Sequence, residues 1–364
     1  MINQLTASSR AVKHKPTRFW LSVCARVLMI LLLLSLSNLN SVNAQQSLPI
    51  ESLDTFTGDH VSTCKRPQDE VWMISSRHLD DPCRGVEALE YYRAVDGCWI
   101  PESVDGFLQA EANDQPRQTI LMFHGHLTNF KFAQIRGWQA YQKIVAADPE
   151  AIPVRFVLWA WPSEFLYTGE IKRMTSFRKA DVHAFYLGQL LLRMRPEQPV
   201  HIIGYSYGSR IVVGALHLAN GGQVDGKGIE RCSECDIGPY LVTLIEPTIH
   251  ADDFACGRHY DRAFPSIQHL VLIHNPRDPA LKAFRACPYT GFGRVMGTVG
   301  IVRLNTPEDW QRIEQYNAGS TVGPQHAMND YFDSPWLLQK MRSNIYLGAQ
   351  PSSSPTNNLT LPLQ

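Results

Sequence analysis

The chain has 364 residues, with 34 basic and 34 acidic side chains and a formal net charge of +0. With 44% hydrophobic and 19% charged residues it has ordinary globular composition and enough apolar material for a large core. The even charge balance argues against nucleic acid or an acidic polymer as partner, and the length allows one large domain or two small ones.

Residues 1–44 read as a segment apart from the fold. Lys13, Lys15 and Arg18 precede the apolar run VLMILLLL (27–34), and the small residues Val42 and Ala44 offer a cleavage point before Gln45. That is the layout of a secretory signal peptide. The competing reading is a retained membrane anchor over 19–36, where Arg26 would be costly inside a bilayer. Both readings export the remaining chain, as a periplasmic or secreted protein or as an anchored one, and a membrane is a partner only if the segment is kept. Without Cys24 the exported part holds Cys64, Cys83, Cys98, Cys232, Cys235, Cys256 and Cys287, and an oxidising compartment predicts disulfide bonds among most of them.

After an extended lead-in over 45–67, VWMISS (71–76) and CWIP (98–101) read as early strands, and AEANDQPRQ as a polar break. TILMF (119–123) suits a strand buried on both faces. KFAQIRGWQAYQKIVAA has helical spacing, VRFVLWAW (154–161) is strand-like and stops at Pro162, and 176–194 reads as a long helix. VHIIG is the next strand and SRIVVGALHLA a helix after it; YLVTLIE (240–246) and HLVLIHN (269–275) are two further strands. NDYFDSPWLLQKMRSNI reads as one closing helix and 349–364 as a disordered tail, leaving a single domain over 45–348. The alternation of strand and helix predicts an α/β fold: a mostly parallel central sheet with helices on both faces.

Ser206 lies in GYSYG between the strand VHIIG and the helix, at the sheet edge where sites are built. A G-x-S-x-G turn there strains the serine backbone and aims helix N-terminal amides at a developing oxyanion, so Ser206 is the candidate nucleophile and the Tyr207 N–H the first oxyanion donor. A serine nucleophile needs a base and an orienting acid, in the order Ser, Asp or Glu, His. His217 belongs to the following helix, His269 and His274 bracket a strand, and His250 and His259 fall in a polar insert. His326, in a loop before the terminal helix, is the candidate base. Asp278, just past HLVLIHN, is the leading acid; Glu246 at the end of YLVTLIE is the runner-up, and Asp252 and Asp253 follow. FHGHLTNF supplies the second oxyanion donor, the His126 N–H, beside Gly125, with His124 a structural residue. The H-x-H pair lacks a third ligand, so neither a metal nor a cofactor is expected.

These motifs resemble the α/β-hydrolase superfamily, and within it a serine-hydrolase-like branch marked by an H-G loop, W-P-S, G-x-S-x-G, N-x-x-D and a late histidine. Here they read FHGHLTN, WAWPSE, GYSYG, NPRD and GPQHAMNDYF, and EVWMISSRH is similar to the branch's opening strand. The resemblance implies an α/β-hydrolase fold with Ser206 as nucleophile, Asp278 as acid and His326 as base. Tyr205 and Tyr207 depart from it, since many relatives carry histidine and methionine there; the tyrosines are expected to narrow or polarise the pocket. Ser163 and Glu164 are candidates to line the site, and Trp161 and Pro162 to pack.

Cys232, Cys235, Cys256 and His259 have the ligand types of a zinc site, but export favours disulfides. The resulting expectation is a serine hydrolase acting on an ester, thioester or amide of a small or acylated substrate, with no nucleic acid partner. The alternative is a non-catalytic binding protein of the cell envelope that keeps the fold.

Overall fold

The computed structural model describes residues 65–347 apart from 97, 113–116, 149–151, 165–174, 195–198, 232–236 and 286–292. The signal or anchor expected at 1–44, the tail at 349–364 and Cys64, Cys232, Cys235 and Cys287 lie outside the described residues. Among the described residues no helix is long and apolar enough to cross a membrane.

One sheet holds β1 (Glu70–Ser75), β2 (Glu90–Val95), β3 (Cys98–Glu102), β4 (Gln118–Phe123), β5 (Val154–Ala160), β6 (Val200–Tyr205), β7 (Tyr240–Ile245), β8 (Ile267–His274) and β9 (Ile313–Asn317). Their order is β3-β2-β1-β5-β4-β6-β7-β8-β9. β2 pairs antiparallel with β1 and β3, and every other neighbour pair is parallel. The expected α/β fold with a mostly parallel sheet is therefore the one observed. Every residue of β4, β5, β6 and β7 is buried, because helices cover both faces.

The helices are α1 (Val104–Ala112), α2 (Phe130–Tyr141), α3 (Thr175–Arg193), α4 (Tyr207–Ala219), α5 (Pro279–Arg285), α6 (Met296–Val299), α7 (Pro307–Gln311), α8 (Met328–Phe332) and α9 (Pro335–Tyr346). Alternate strand residues feed two cores: Leu121, Phe123, Trp159 and Ile202 pack with α3 and α4, while Ile120, Met122, Phe156 and Ile203 pack with α2 and α9.

Several elements differ from the sequence reading, among them the short helices α5, α6 and α7, which it did not foresee. β2 and α1 flank the expected strand 98–101, and β9 extends the sheet beyond β8. β2 and β9 are half-exposed edge-side strands, without the continuous apolar run that marks the interior strands. The closing helix is two helices: the Ser334 side chain accepts from Leu337 N and Pro335 starts α9, so the chain breaks at residues 333–334. The disulfide expectation is corrected where it can be seen: Cys83, Cys98 and Cys256 carry free thiols. Cys83 sits in a turn beside α3, Cys98 opens the outermost strand, and Cys256 lies in the turns after β7, three separate places that a disulfide's short reach does not join.

Asp69 fixes the start of β1. Its fully buried carboxylate accepts from Arg66 Nε at 2.7 Å and Nη2 at 2.9 Å, from Tyr141 Oη at 2.8 Å and from Val154 N at 3.0 Å. Asp69→Ala takes the anionic partner from a half-buried guanidinium and the acceptor from the Tyr141 hydroxyl and the Val154 amide, and is expected to cost about 3–5 kcal/mol of stability. Urea unfolding of the variant measures the loss; a midpoint equal to wild type would refute this account.

Candidate active site

Ser206 sits between β6 and α4 with φ 53° and ψ −118°, a left-handed conformation that disfavours any side chain. Its N–H donates to Ile245 O at 2.8 Å, and its carbonyl accepts from Ser209 N at 3.1 Å. The turn is tight enough to demand glycine: a Cβ at Gly208 would lie 2.4 Å from the carbonyl oxygen of Phe123.

The loop after β4 lies against this turn. A Cβ at Gly125 would come within 2.8 Å of the Tyr205 ring and 3.2 Å of Ser206 Cβ. Ser163 of the W-P-S element is tied to the loop after β4. Its buried hydroxyl donates to Thr128 O and accepts from Thr128 N, both at 3.0 Å, and its carbonyl accepts from Leu127 N at 2.9 Å. Leu127, at φ 59°, is thereby held in its strained conformation. Glu164 pairs with Arg77. His124 stacks on Trp161, with ring centroids 5.6 Å apart, and accepts from Trp161 N at Nε2, so its Nδ1–H donates to Gly125 O at 2.9 Å. Burial pushes it down to about 3, and it stays a neutral loop strut. The His126 and Tyr207 rings lie 5.0 Å apart, which places the two residues expected to supply oxyanion donors side by side next to Ser206.

His326 comes from the loop between β9 and α8. The Ser206 hydroxyl lies in hydrogen-bond contact with its Nε2 at 3.1 Å, and its Nδ1–H donates to Asp278 Oδ2. Asp278 caps α5, where Oδ1 accepts from Ala280 N at 2.7 Å. Burial pushes the Asp278 carboxyl up, but the hydrogen bond and charge of His326, an interaction with the Glu246 carboxyl and the Ala280 amide outweigh it and hold the group below the usual range. Glu246, one strand away at the end of β7, is also fully buried. Its Oε2 lies 2.7 Å from the same Nδ1, off the N–H direction, so it accepts no well-formed hydrogen bond there. Burial pushes Glu246 up to about 7. Burial would depress His326, but the Glu246 and Asp278 carboxylates overcome it and push the imidazole up to about 10.

The sequence reading thus named three residues that the fold brings together, Ser206, Asp278 and His326, and ranked as a mere alternative a fourth, Glu246, that joins them. Asp252 and Asp253 lie in the turns after β7; Asp253 accepts from His250 N at 2.8 Å and Asp252 pairs with Arg258. His217, His269 and His274 pack on α4 and β8 as expected. Glu246, Asp278 and His326 offer donor atoms within 4.8 Å of one another, a spacing a cation could use. Nδ1 carries a proton both in the imidazolium and in the neutral tautomer whose Nε2 faces serine, however, and so offers no lone pair to a metal. The zinc candidates Cys232 and Cys235 lie outside the described residues, and His259 instead packs on Tyr260 and Arg210. A cavity of about 1530 Å³, lined by Arg210, His250, Arg262, Arg294 and Arg303 among others, contains none of the Ser206, Asp278 and His326 side chains.

Three supports escaped the sequence reading. Tyr205 is buried; its hydroxyl donates to the His326 carbonyl, so it holds the histidine loop and does not narrow a pocket. Asn275 of the N-x-x-D element is fully buried and donates from Nδ2 to Gly323 O at 2.9 Å and Tyr331 Oη at 3.1 Å. The Tyr331 hydroxyl interacts in turn with Glu246, and burial first and that carboxyl second hold the phenol well above its ordinary value. The spacing N-x-x-D was visible, but a tie between the strand end and a loop some 50 residues later has no sequence signature.

No family model and no curated protein matches this chain. Among solved structures, the chain is similar to an inhibited esterase B from Lactobacillus rhamnosis, at a TM-score of 0.41 and 12% identity over 90% of this chain and 97% of that one. It is also similar to acetyl xylan esterase 1 from a Thermoanaerobacterium species, at 0.32 and 11% over 70% and 83%. The fold is the α/β-hydrolase fold, recognised by its sheet order and its strand-turn-helix serine.

Asn275→Leu should free residues 323–326, speeding amide hydrogen exchange there by about tenfold or more and costing about 1–3 kcal/mol from unpaired acceptors. Unchanged exchange in that loop would show that Asn275 does not anchor it.

Proposed function

We propose that the protein is a serine hydrolase that cleaves an ester, thioester or amide bond of a small acylated substrate through an acyl-enzyme. One observation carries this reading: the Ser206 hydroxyl stands 3.1 Å from His326 Nε2 while Nδ1 of the same ring faces Asp278. In the reaction Ser206 Oγ attacks the carbonyl carbon as His326 Nε2 takes its proton. Asp278 fixes the imidazole tautomer and stabilises the cation. Collapse of the tetrahedral intermediate breaks the bond to the leaving group, which receives the proton from His326. Water then attacks the acyl-enzyme by the same route. The backbone N–H groups of Tyr207, at the positive end of α4, and of His126 are assigned to the oxyanion. The residues before Gln45 are proposed to export the domain.

Ser206→Ala should abolish labelling by a fluorophosphonate probe and hydrolysis of short-chain nitrophenyl esters, with the melting curve retained because only a hydroxyl is lost and the turn is unchanged. Labelling that survives in the variant refutes the nucleophile. A wild-type protein silent toward both reagents would instead leave the fold as a binding module.

The raised His326 also sets a pH dependence. A base whose protonated form is stabilised is unavailable until the pH climbs past that higher value, so activity is lost as pH falls. The acid limb of kcat/KM should have its midpoint above the ordinary imidazole value of about 6.5. A midpoint at or below it would contradict the paired-carboxylate environment.

A further inference from the structure

We propose that Glu246 is a second acid for His326, a positioning residue that shares Nδ1 with Asp278 and takes over its orienting role when Asp278 is neutralised. The proposal rests on the serine-hydrolase reading for its kinetic meaning, but the geometry stands apart from it. Both carboxyls are fully buried, both face one nitrogen, and Glu246 Oε2 at 2.7 Å is already within hydrogen-bond range of it. What Glu246 lacks is direction, since the N–H is aimed at Asp278. A small rotation of the ring about its Cβ–Cγ bond would redirect that N–H.

The place of Glu246 is built for this task. It follows β7 as Asp278 follows β8, and neighbouring parallel strands deliver both acids to the same sheet edge. Its backbone is held at φ 48°, a left-handed conformation for a residue with a side chain, and its N–H donates to Ile273 O at 2.8 Å. Such strain persists only where the surroundings over-determine it, and it clusters at functional sites. A carboxyl serving only as packing has no reason to occupy a fully buried position beside a second one.

Among the described residues, these groups face Glu246. His326 approaches from the loop after β9 and Asp278 from the end of β8. The Tyr331 hydroxyl approaches from α8, and the Tyr205 phenol from the end of β6. From α6 the backbone of Gly297 packs against it and brings no charge. No basic side chain is among these groups, so the imidazole is the cation that can balance either acid. Two such carboxyls hold a single proton between them, or both ionise around an imidazolium. In either state Nδ1–H has an acceptor.

The test compares Asp278→Asn, Glu246→Gln and the double variant. Asp278→Asn/Glu246→Gln should lose about 10⁴-fold in kcat/KM, the loss expected when a histidine has no acid behind it. Asp278→Asn alone should keep at least about tenfold more activity than the double variant. Glu246→Gln alone should move the acid limb of kcat/KM to lower pH, because one of the two carboxylates that stabilise the imidazolium is gone. A packing role would leave that limb in place. The downfield proton resonance of His326 Nδ1–H should persist in Asp278→Asn and vanish in the double variant, a readout that needs no turnover. Equal kcat/KM and equal spectra for Asp278→Asn and the double variant would overturn the proposal; so would an unmoved limb in Glu246→Gln if the Asp278 variants fail to fold. A wild type that shows the expected proton resonances but never labels at Ser206 would sink the hydrolase reading and leave the shared nitrogen standing.

Discussion

The architecture depends on one nitrogen. His326 Nδ1 carries its proton toward Asp278 with Glu246 alongside, and that arrangement decides which way the ring points and which nitrogen is left to face Ser206. Four stretches meet there: the turn after β6, the ends of β7 and β8, and the loop after β9. A parallel sheet is the economical way to gather them, because each strand runs the same way and delivers its carboxyl end to one edge. Both acids can then be fully buried and still reach one atom, since they stand one strand apart. Burial in turn makes the electrostatics strong, for a carboxylate deprived of water acts on its neighbour through a low local dielectric.

Holding this geometry has a conformational cost. Ser206, Glu246 and Leu127 all sit at positive φ, each at a cost on the order of 1–3 kcal/mol. All three lie at the same sheet edge, in the turn after β6, at the end of β7 and in the loop after β4. They persist because rigid partners fix both sides: Ser163 clamps the β4 loop, Ile245 O and Ile273 O receive the Ser206 and Glu246 N–H groups, and two packed cores hold the strands themselves. The supports are hydrogen bonds between distant segments, and most end on backbone carbonyls. Such contacts place a loop without requiring any particular side chain in it.

That explains which parts could be read in the residues and which could not. The interior strands β4 to β8 announce themselves as apolar runs, because burial on both faces leaves no room for polar alternation. Their order as strand, helix, strand implied the parallel sheet and put Ser206, Asp278 and His326 at one edge. β2 and β9 were invisible for the converse reason: Glu90, Arg93, Glu314 and Gln315 face outward or stand at the edge, and the pattern is that of a loop. The closing helix read as one because its apolar spacing continues through Pro335, and only the Ser334 cap marks the break. Glu246 illustrates a harder limit. Strand-end spacing identified both Glu246 and Asp278 as possible acids, and choosing between them assumed that the histidine takes one. Nothing in the sequence says that a ring 48 residues beyond Asp278 comes to rest between both.

The tyrosines on either side of the serine show how a departure from a familiar motif can be misread when position is taken for role. Both were expected to shape the pocket. Tyr205 instead points back under the histidine, its ring 5.5 Å from the imidazole and its hydroxyl on the His326 carbonyl, and it also faces the Glu246 and Asp278 carboxyls. In that place the phenol anchors the loop that carries the imidazole. Tyr207, which opens the helix, lies with its ring tilted against that of His126, bridging turn and loop. One residue therefore belongs to the mounting of the imidazole and the other to the contact between the serine turn and the loop after β4. On the proposed reading the first governs how well the proton moves, and the second what kind of acyl group can approach.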